Sequence, residues 1–468
     1  MQFISLDFVI FFAVAFLIAI YLKSNRKVYI IYLFCVSLLF YFSLGLNNLL
    51  ILLASVILNY LALYLLETTT SHRLKKKILI VALVLNIAFL AFFKYNDFAT
   101  NTLMRLASDW GIKGFVIDFE VVIPVGISFY TFRVISHLVD FYKGTVKKPD
   151  LISYATYITF FPQILSGPIS RPQEFYTFLD NPQKAKYSDT EIISLIISGL
   201  IKKLVIASFL FNYVEVPFST PQSFSPLDLI AAALAYSCML YTDFSGYSDL
   251  SIAISKMLGF NVQPNFRSPY KAIGLKDFWS RWHISLMTWL RDYVYIPLGG
   301  NRKGTVRKYI NLFLTMIVSG LWHGAGLTFM VWGLIHGVGN SVSHLIEDSL
   351  KGKTLPKIFK FFGWLLTFSF VTFAWIFFNS KTLSSALIFI KGIFISTTNK
   401  NTIIDFRLCL VIAIVIYFNF IGTKFTQYFM RVLQGLRPVV KYIVVAVILY
   451  IIIKLGPSLV PPFIYFNF

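Results

Sequence analysis

Apolar windows separated by short polar loops recur along the whole of this chain. A helix needs about 20 apolar residues to cross a bilayer core of roughly 30 Å. The pattern therefore predicts an all-α polytopic membrane protein, with about 11–14 transmembrane or re-entrant helices around a central cavity or tunnel. The predicted spans are residues 8–22, 29–44, 49–66, 78–93, 121–142, 192–213, 227–241, 310–338, 358–378, 386–395, 408–421 and 442–453, with a shorter one at 250–260.

One apolar segment, residues 154–169, has basic loops on both sides and is interrupted by proline and glycine. Both flanks are typical of the cytoplasmic side of a membrane protein. Irregular backbone at membrane depth is tolerated only where it lines a cavity or is buried in protein. We therefore expect a re-entrant element whose cavity-lining residues include Pro162, Gln163 and Gly167.

The charge of the chain indicates topology and not a nucleic-acid partner. The formal net charge is +21, yet only 13% of residues are charged and the mean hydropathy is +0.72. The Lys and Arg residues lie in short loops between spans, as the positive-inside rule requires. The basic clusters at 23–27 and 73–77 are thus predicted to be cytoplasmic, the N-terminus faces outward, and the lipid bilayer is the expected partner.

The loops between the first spans are too short to hold a soluble domain. We expect one integral membrane domain over 1–468, with an N-terminal helical wall (1–120) and a motif-bearing core (121–346). C-terminal helices (347–457) and an aromatic tail (458–468) complete it. Three cysteines in apolar stretches, without C-x-x-C spacing, argue against a thiolate metal site, and we expect no metal.

His323 is the leading candidate for catalysis, because it is the only ionisable residue between positions 310 and 335. An ionisable side chain inside a membrane span is costly and usually functional. Glycines around it allow another backbone or an acyl donor to approach closely. A buried neutral imidazole suits a general base, although a histidine held by a neighbouring helix is the alternative.

Two further patterns predict donor binding. His283 lies in an aromatic run with Arg281 and Trp282, which indicates either an interfacial anchor or a site that polarises a carbonyl or positions a donor. The turn that follows is predicted to offer free backbone N–H groups and cations to phosphates, although a cytoplasmic turn would have the same composition. The predicted donor-binding residues are Arg281, Trp282, Gly299, Gly300, Asn301 and Arg302.

Two remaining polar features have open interpretations. Asp243 and Ser245 stand in a motif with two carboxylates beside an apolar span, which we interpret as a polar network lining the cavity, with Asp243 a possible orienter of a histidine. His72, His137, His336 and His344 are lesser candidates. Tyr465, in the aromatic tail, is either an interfacial anchor or an acyl acceptor.

Six motifs between residues 127 and 325 resemble, in order, the bacterial branch of the membrane-bound O-acyltransferase superfamily that includes alginate and peptidoglycan O-acetyltransferases. They are Ile127-Ser128-Phe129-Tyr130-Thr131-Phe132, Phe161 to Ile169, Asp243 to Asp249, Arg281 to Leu286, Pro297 to Arg302 and Gly320 to Ala325. The resemblance implies that His323 is the histidine of the buried catalytic helix and that His283 occupies the second polar site.

The resemblance also implies acetyl-CoA as donor, Tyr465 as acyl relay and a bacterial cytoplasmic (inner) membrane. It implies a separate extracytoplasmic acetyltransferase of the SGNH serine-hydrolase type as partner, which would modify a cell-envelope polysaccharide such as peptidoglycan or alginate. Three alternatives remain. They are D-alanyl transfer for teichoic acid, a polytopic transporter or exporter without acyl chemistry, and a silent scaffold.

Overall fold

A computed structural model describes residues 1, 3–112, 116, 121–181, 188–350, 356–395, 402–457 and 461. Within these ranges the secondary structure is helical, with no strand. The first ten α-helices are α1 (Leu6–Leu22), α2 (Arg26–Phe42), α3 (Leu46–Thr68), α4 (His72–Asp109), α5 (Ile127–Tyr142), α6 (Leu151–Thr159), α7 (Phe161–Ile164), α8 (Pro172–Asp180), α9 (Asp189–Leu200) and α10 (Ser208–Ser219). The remaining nine are α11 (Pro226–Met257), α12 (Leu275–Trp279), α13 (Ile284–Leu290), α14 (Thr305–His323), α15 (Leu327–Ser349), α16 (Lys357–Asn379), α17 (Leu383–Phe394), α18 (Phe406–Gly435) and α19 (Pro438–Leu455).

The described residues contain seven helices that are long and apolar enough to cross a membrane. Two shorter apolar helices, α1 and α17, accompany them. Large apolar side chains are exposed along these helices, and in α19 only Ile452 is buried. A helix that is apolar on its exposed side suits lipid and not water. The predicted all-α, multi-pass membrane architecture is therefore confirmed.

Three predicted boundaries were wrong. The span predicted at 78–93 belongs to α4, whose 38 residues extend about 57 Å, so the chain after this span is helical as far as Asp109. The two windows at 227–241 and 250–260 form the single helix α11. The window at 310–338 is two helices, because α14 ends at His323 and α15 begins at Leu327.

The backbone divides into two compact units, Met1–Tyr187 with Ser251–Gln263, and Ser188–Leu250 with Pro264–Phe468. The predicted core at 121–346 contributes to both units, and the single domain stays a prediction.

In the first unit, the segment predicted to be re-entrant is broken into short helices. Residues 153–169 are all buried, and the nine residues of α6 span only about 13 Å, too little to cross a bilayer. Arg133, which the sequence did not single out, is buried and donates hydrogen bonds to the Tyr157 carbonyl (2.7 Å) and to the Gln163 side chain. The Pro162 carbonyl accepts a hydrogen bond from Ser251, and a Cβ at Gly167 would clash with that hydroxyl. This segment is therefore held by polar contacts within the unit.

In the second unit, α14 and α15 pack through glycines. A Cβ added at Gly320 would lie 2.4 Å from the Phe329 carbonyl oxygen, and one at Gly333 would lie 2.8 Å from that of Met316. Backbone atoms cannot move aside as a flexible side chain can, so glycine is required at both positions. Gly320 of α14 meets Phe329 of α15, and the earlier Met316 meets the later Gly333. The two helices therefore form an antiparallel hairpin.

Candidate active site

His323 lies at the tip of the α14–α15 hairpin, as the last residue of α14. Gly324, which follows it, packs so closely on the Phe329 ring that an added Cβ would lie 2.5 Å from that ring. The sequence predicted a close approach at these glycines, and the partner found here is the next helix of the hairpin. The position of His323 is thus set by the turn between two tightly packed helices.

Aromatic rings surround the His323 imidazole, which is only 5% exposed. Trp322 lies 4.8 Å away between ring centroids, Trp332 5.1 Å at an interplanar angle of 88°, and Phe378 of α16 5.0 Å. We call these three residues the aromatic cage. Apolar rings exclude bulk water, which strengthens electrostatic interactions at the imidazole and protects a reactive acyl group from hydrolysis.

His336, one of the lesser candidates from the sequence, lies beside the aromatic cage. Its fully buried ring lies 4.8 Å from Trp332 and 4.9 Å from Trp279. Neither ring nitrogen has a hydrogen-bond partner within the described ranges. Trp332 therefore packs against both His323 and His336, and the spacing of four residues between Trp332 and His336 on one helix is the signal that could have indicated it.

His283 is held in an uncommon backbone conformation by Asn265. Its φ of 44° places it in the left-handed region immediately before α13, which costs a non-glycine residue roughly 1–2 kcal/mol. Asn265 Oδ1 lies 3.2 Å from His283 Nδ1 and accepts hydrogen bonds from the Ser285 N–H (3.1 Å) and hydroxyl (2.9 Å). Asn265 was not predicted, because the two residues are 18 positions apart and no periodicity links them.

This contact fixes the tautomer of His283. The atom facing the Ser285 N–H must be an acceptor, so Asn265 presents its oxygen and His283 Nδ1 carries the proton. Burial lowers the pKa of His283, which lies outside the seven candidate spans, to about 3. The neutral ring therefore has its lone pair on Nε2, which suits accepting a hydrogen bond. Polarisation of a carbonyl, one of the two predicted roles, needs a donor and is disfavoured by this tautomer.

The two histidines share one neighbour. The Trp322 ring lies 4.8 Å from His323 and 6.3 Å from His283. His283 also packs edge-on against Phe244 of α11 at 4.7 Å. The second unit thus brings the two leading sequence candidates together around one indole.

The residues beside His283 that were predicted to bind the donor have other partners. Arg281 donates a hydrogen bond to Asp277 at 2.7 Å and another to the Arg267 carbonyl at 3.2 Å. Trp282 is buried against Phe278 and Trp375, 5.1 Å from the Trp375 ring. Their contacts stabilise this part of the fold, and a donor-binding role for them stays a prediction.

The predicted phosphate turn was partly wrong. Gly299, Gly300 and Gly304 have positive φ values of 112°, 55° and 87°, as a glycine turn allows. However, the N–H groups of Gly299, Gly300 and Arg302 donate to carbonyls within the turn, so they do not form a free anion cradle. Asn301, Arg302 and Lys303 remain exposed, which leaves side chains as the means of binding an anion.

Asp243 has a different partner from the one predicted. It lies in the middle of α11 and forms a buried ion pair with Lys203, a residue that was not predicted to belong to the site. A role for Asp243 in orienting a histidine stays a prediction. Ser245 is buried beside it. Tyr465 lies outside the described residues, and its role stays a prediction.

Comparisons with known proteins identify the family of this chain. The model of the membrane-bound O-acyltransferase family matches residues 18–387. The Helicobacter pylori peptidoglycan O-acetyltransferase is 36% identical over 392 residues, 77% of this chain and 73% of that protein. The Pseudomonas aeruginosa probable alginate O-acetylase is 33% identical over 446 residues, which are 94% of this chain and 84% of that protein.

A further relative has a different acyl group in its name. The Bacillus subtilis teichoic acid D-alanyltransferase is 29% identical over 279 residues, 55% of this chain and 69% of that protein. The multi-pass helical fold, the family match over most of the chain and relatives of 33–36% identity agree. This chain belongs to the membrane-bound O-acyltransferase family and is an acyltransferase.

Proposed function

We propose that this protein takes an acetyl group from cytoplasmic acetyl-CoA and passes it across the bacterial inner membrane for O-acetylation of a cell-envelope polysaccharide. The observation that carries this proposal is the placement of His323, buried in the aromatic cage at the tip of a glycine-packed hairpin. Relatives named for peptidoglycan and alginate O-acetylation at 36% and 33% identity support the acetyl group and the class of acceptor.

The geometry of α14 supports transfer across the bilayer. The exposed cations Arg302 and Lys303 lie just before this helix, and by the positive-inside rule they face the cytoplasm. The 19 residues of α14 extend about 28 Å, which separates the cationic turn from His323 by most of a bilayer core. A donor whose phosphates bind near the turn would deliver its acyl group toward the other side.

In the proposed chemistry, His323 acts as general base on the phenol of Tyr465. The phenol oxygen attacks the thioester carbonyl, the new C–O bond forms and the C–S bond breaks. The phenolic proton passes through His323 to the leaving thiolate, which departs as coenzyme A thiol. A positioned base contributes about 10²- to 10⁴-fold to such a step. His283 Nε2, with its lone pair, accepts a hydrogen bond from an amide N–H of the donor and so positions it.

The tyrosyl acetate then requires a second enzyme. A separate extracytoplasmic acetyltransferase of the serine-hydrolase type takes the acetyl group to a glycan hydroxyl, and the phenol of Tyr465 is regenerated. This transfer is favourable, since an aryl ester is a more reactive acyl donor than the sugar ester that it forms.

Donor consumption by purified protein in lipid vesicles, measured as a single turnover because the second enzyme is absent, tests the function. We expect acetyl-CoA to be consumed by the wild type and by His344→Ala, a half-buried histidine on α15 used as the control, and not by His323→Ala. Consumption of a D-alanyl thioester in place of acetyl-CoA would favour the D-alanyl alternative. Consumption of neither donor, with glycan export intact, would overturn the proposal in favour of a transporter.

A further inference from the structure

Two lysines lie side by side in a π-helical segment inside a membrane span. The segment Ile201–Ala207 joins α9 to α10 within the candidate span Asp189–Ser219. Each lysine pairs with a different carboxylate of α11, Lys203 with Asp243 and Lys202 with Asp249 (2.7 Å). π-Helical turns inside α-helices are rare and occur frequently at functional sites.

The helices meet backbone to backbone between the two ion pairs. A Cβ at Gly199 would lie 2.9 Å from the Gly246 carbonyl oxygen, and a Cβ at Gly246 would lie 2.9 Å from that of Gly199. This contact explains why Gly246 lies in the motif from Asp243 to Asp249, a motif whose sequence alone indicated a polar network. It also holds both carboxylates within reach of the lysines.

The two ion pairs differ in burial. The side chains of Lys203 and Asp243 are 5% and 7% exposed, whereas those of Lys202 and Asp249 are 25% and 19% exposed. A charge taken out of water needs a full set of partners, and an ammonium has three protons to donate. The inner pair is therefore the one whose ammonium lies almost entirely out of water.

The C-terminal tail supplies one acceptor for this ammonium. Lys203 Nζ donates a hydrogen bond to the carbonyl oxygen of Pro461 at 3.3 Å. The chain reaches this point from the end of α19, where Gly456 packs beside Leu204 of the same π-helical segment. Tyr465 follows Pro461 by four residues, a reach of about 14 Å at most.

We propose that the Lys203–Asp243 pair is the binding site of the C-terminal tail and that Lys203 is a positioning residue for acyl transfer to Tyr465. This inference rests on the proposed function for its acyl-transfer part only. The ammonium holds the Pro461 carbonyl, Asp243 holds the ammonium, and the tail is thereby tethered in the same unit as His323. The neighbouring Lys202–Asp249 pair forms no hydrogen bond to Pro461, the described residue of the tail, and is a matched control.

The first test is digestion of the tail by a carboxypeptidase that stops at proline, followed by intact mass on the full-length protein in detergent. Digestion starts at the C-terminal end, so the enzyme removes residues 463–468 and stops at Pro462. In Lys203→Met with Asp243→Asn, which removes both charges, we expect release of these residues to be about tenfold faster, the effect expected for a lost hydrogen bond to a charged group. Lys202→Met with Asp249→Asn should digest as the wild type does, and Lys203→Arg should restore protection.

Equal digestion of the two double variants would overturn the proposal. Should the methionine variant fail to elute as folded protein, Lys203→Gln with Asp243→Asn replaces it, because glutamine suits a polar site but lacks the ammonium, and the same direction is expected.

A second readout separates this inference from the proposed function. Acetyl labelling of Tyr465 should slow in the Lys203 double variant, with the KM for acetyl-CoA unchanged, because a positioning residue for the acceptor does not touch the donor. If the tail is protected through Lys203 but Tyr465 is never labelled in the wild type, the tethering stands and the relay fails. If Tyr465 is labelled equally fast in both double variants, the relay stands and the positioning role of Lys203 is refuted.

Discussion

Replacing Asn265 by aspartate should move the pH dependence of activity through His283. The aspartate keeps an oxygen 3.2 Å from His283 Nδ1 and continues to accept from Ser285, so the fold of this segment is kept. It adds a negative charge beside an imidazole whose pKa burial lowers to about 3. An opposite charge at this range changes a pKa by about 1–3 units in favour of the charged form, so we expect a pKa of about 4–6 in the variant.

The sign follows from the tautomer. A raised pKa means that the ring takes up its second proton at higher pH, and Nε2 then can no longer accept a hydrogen bond. Activity of Asn265→Asp should therefore fall on the acid side between about pH 6 and 4, where the wild type still works. Donor consumption in vesicles measured from pH 4 to 8 checks this, with Ser285→Ala, which removes a donor to the same oxygen without adding charge, as control. If the activity of the wild type, of Asn265→Asp and of Ser285→Ala falls at the same acid pH, the role of His283 as an acceptor is refuted.

Three other outcomes follow from the packing and the charges. Gly246→Ala should lose about 1–3 kcal/mol of stability because its Cβ would meet the facing backbone, while Gly422→Ala, with nothing within 4 Å, should lose none; thermal unfolding in detergent measures both. His336→Phe should keep its stability and its rate of acetyl-CoA consumption, since the ring packs on tryptophans and neither nitrogen is hydrogen-bonded in the part of the chain that the structure describes; a lost rate would make it catalytic. Arg302→Ala with Lys303→Ala should raise the KM for acetyl-CoA without changing kcat, because exposed cations bind the donor equally before and during reaction; a lower kcat with unchanged KM contradicts that role.

The sequence predicted the class of fold and drew attention to His283 and His323 because both follow from local patterns, and the catalytic roles of the two histidines stay predictions. Hydropathy reports helices that face lipid, and an ionisable residue inside such a helix is uncommon enough to be noticed. It did not predict that His323 ends a helix, since the apolar window at 310–338 continues through the turn at Gly324.

The contacts that hold the site were missed because they join distant positions. Asn265 contacts His283 from 18 positions away, across an irregular loop. Lys203 lies in a π-helical segment, which no simple periodicity reveals, and pairs with Asp243 on α11. Adjacent lysines at 202 and 203 within an apolar window were the available signal for the ion pairs, because two charges inside a span require partners.

The central claim is that an acetyl group passes from acetyl-CoA to Tyr465 with His323 as the base. Intact-mass analysis of the purified protein after incubation with labelled acetyl-CoA tests it most directly, with His323→Ala and Tyr465→Phe alongside. We expect one acetyl label on Tyr465 of the wild type and none on either variant. A wild type that transfers acetyl groups to a glycan yet is never labelled, or a Tyr465→Phe protein labelled as strongly as the wild type, would contradict the relay.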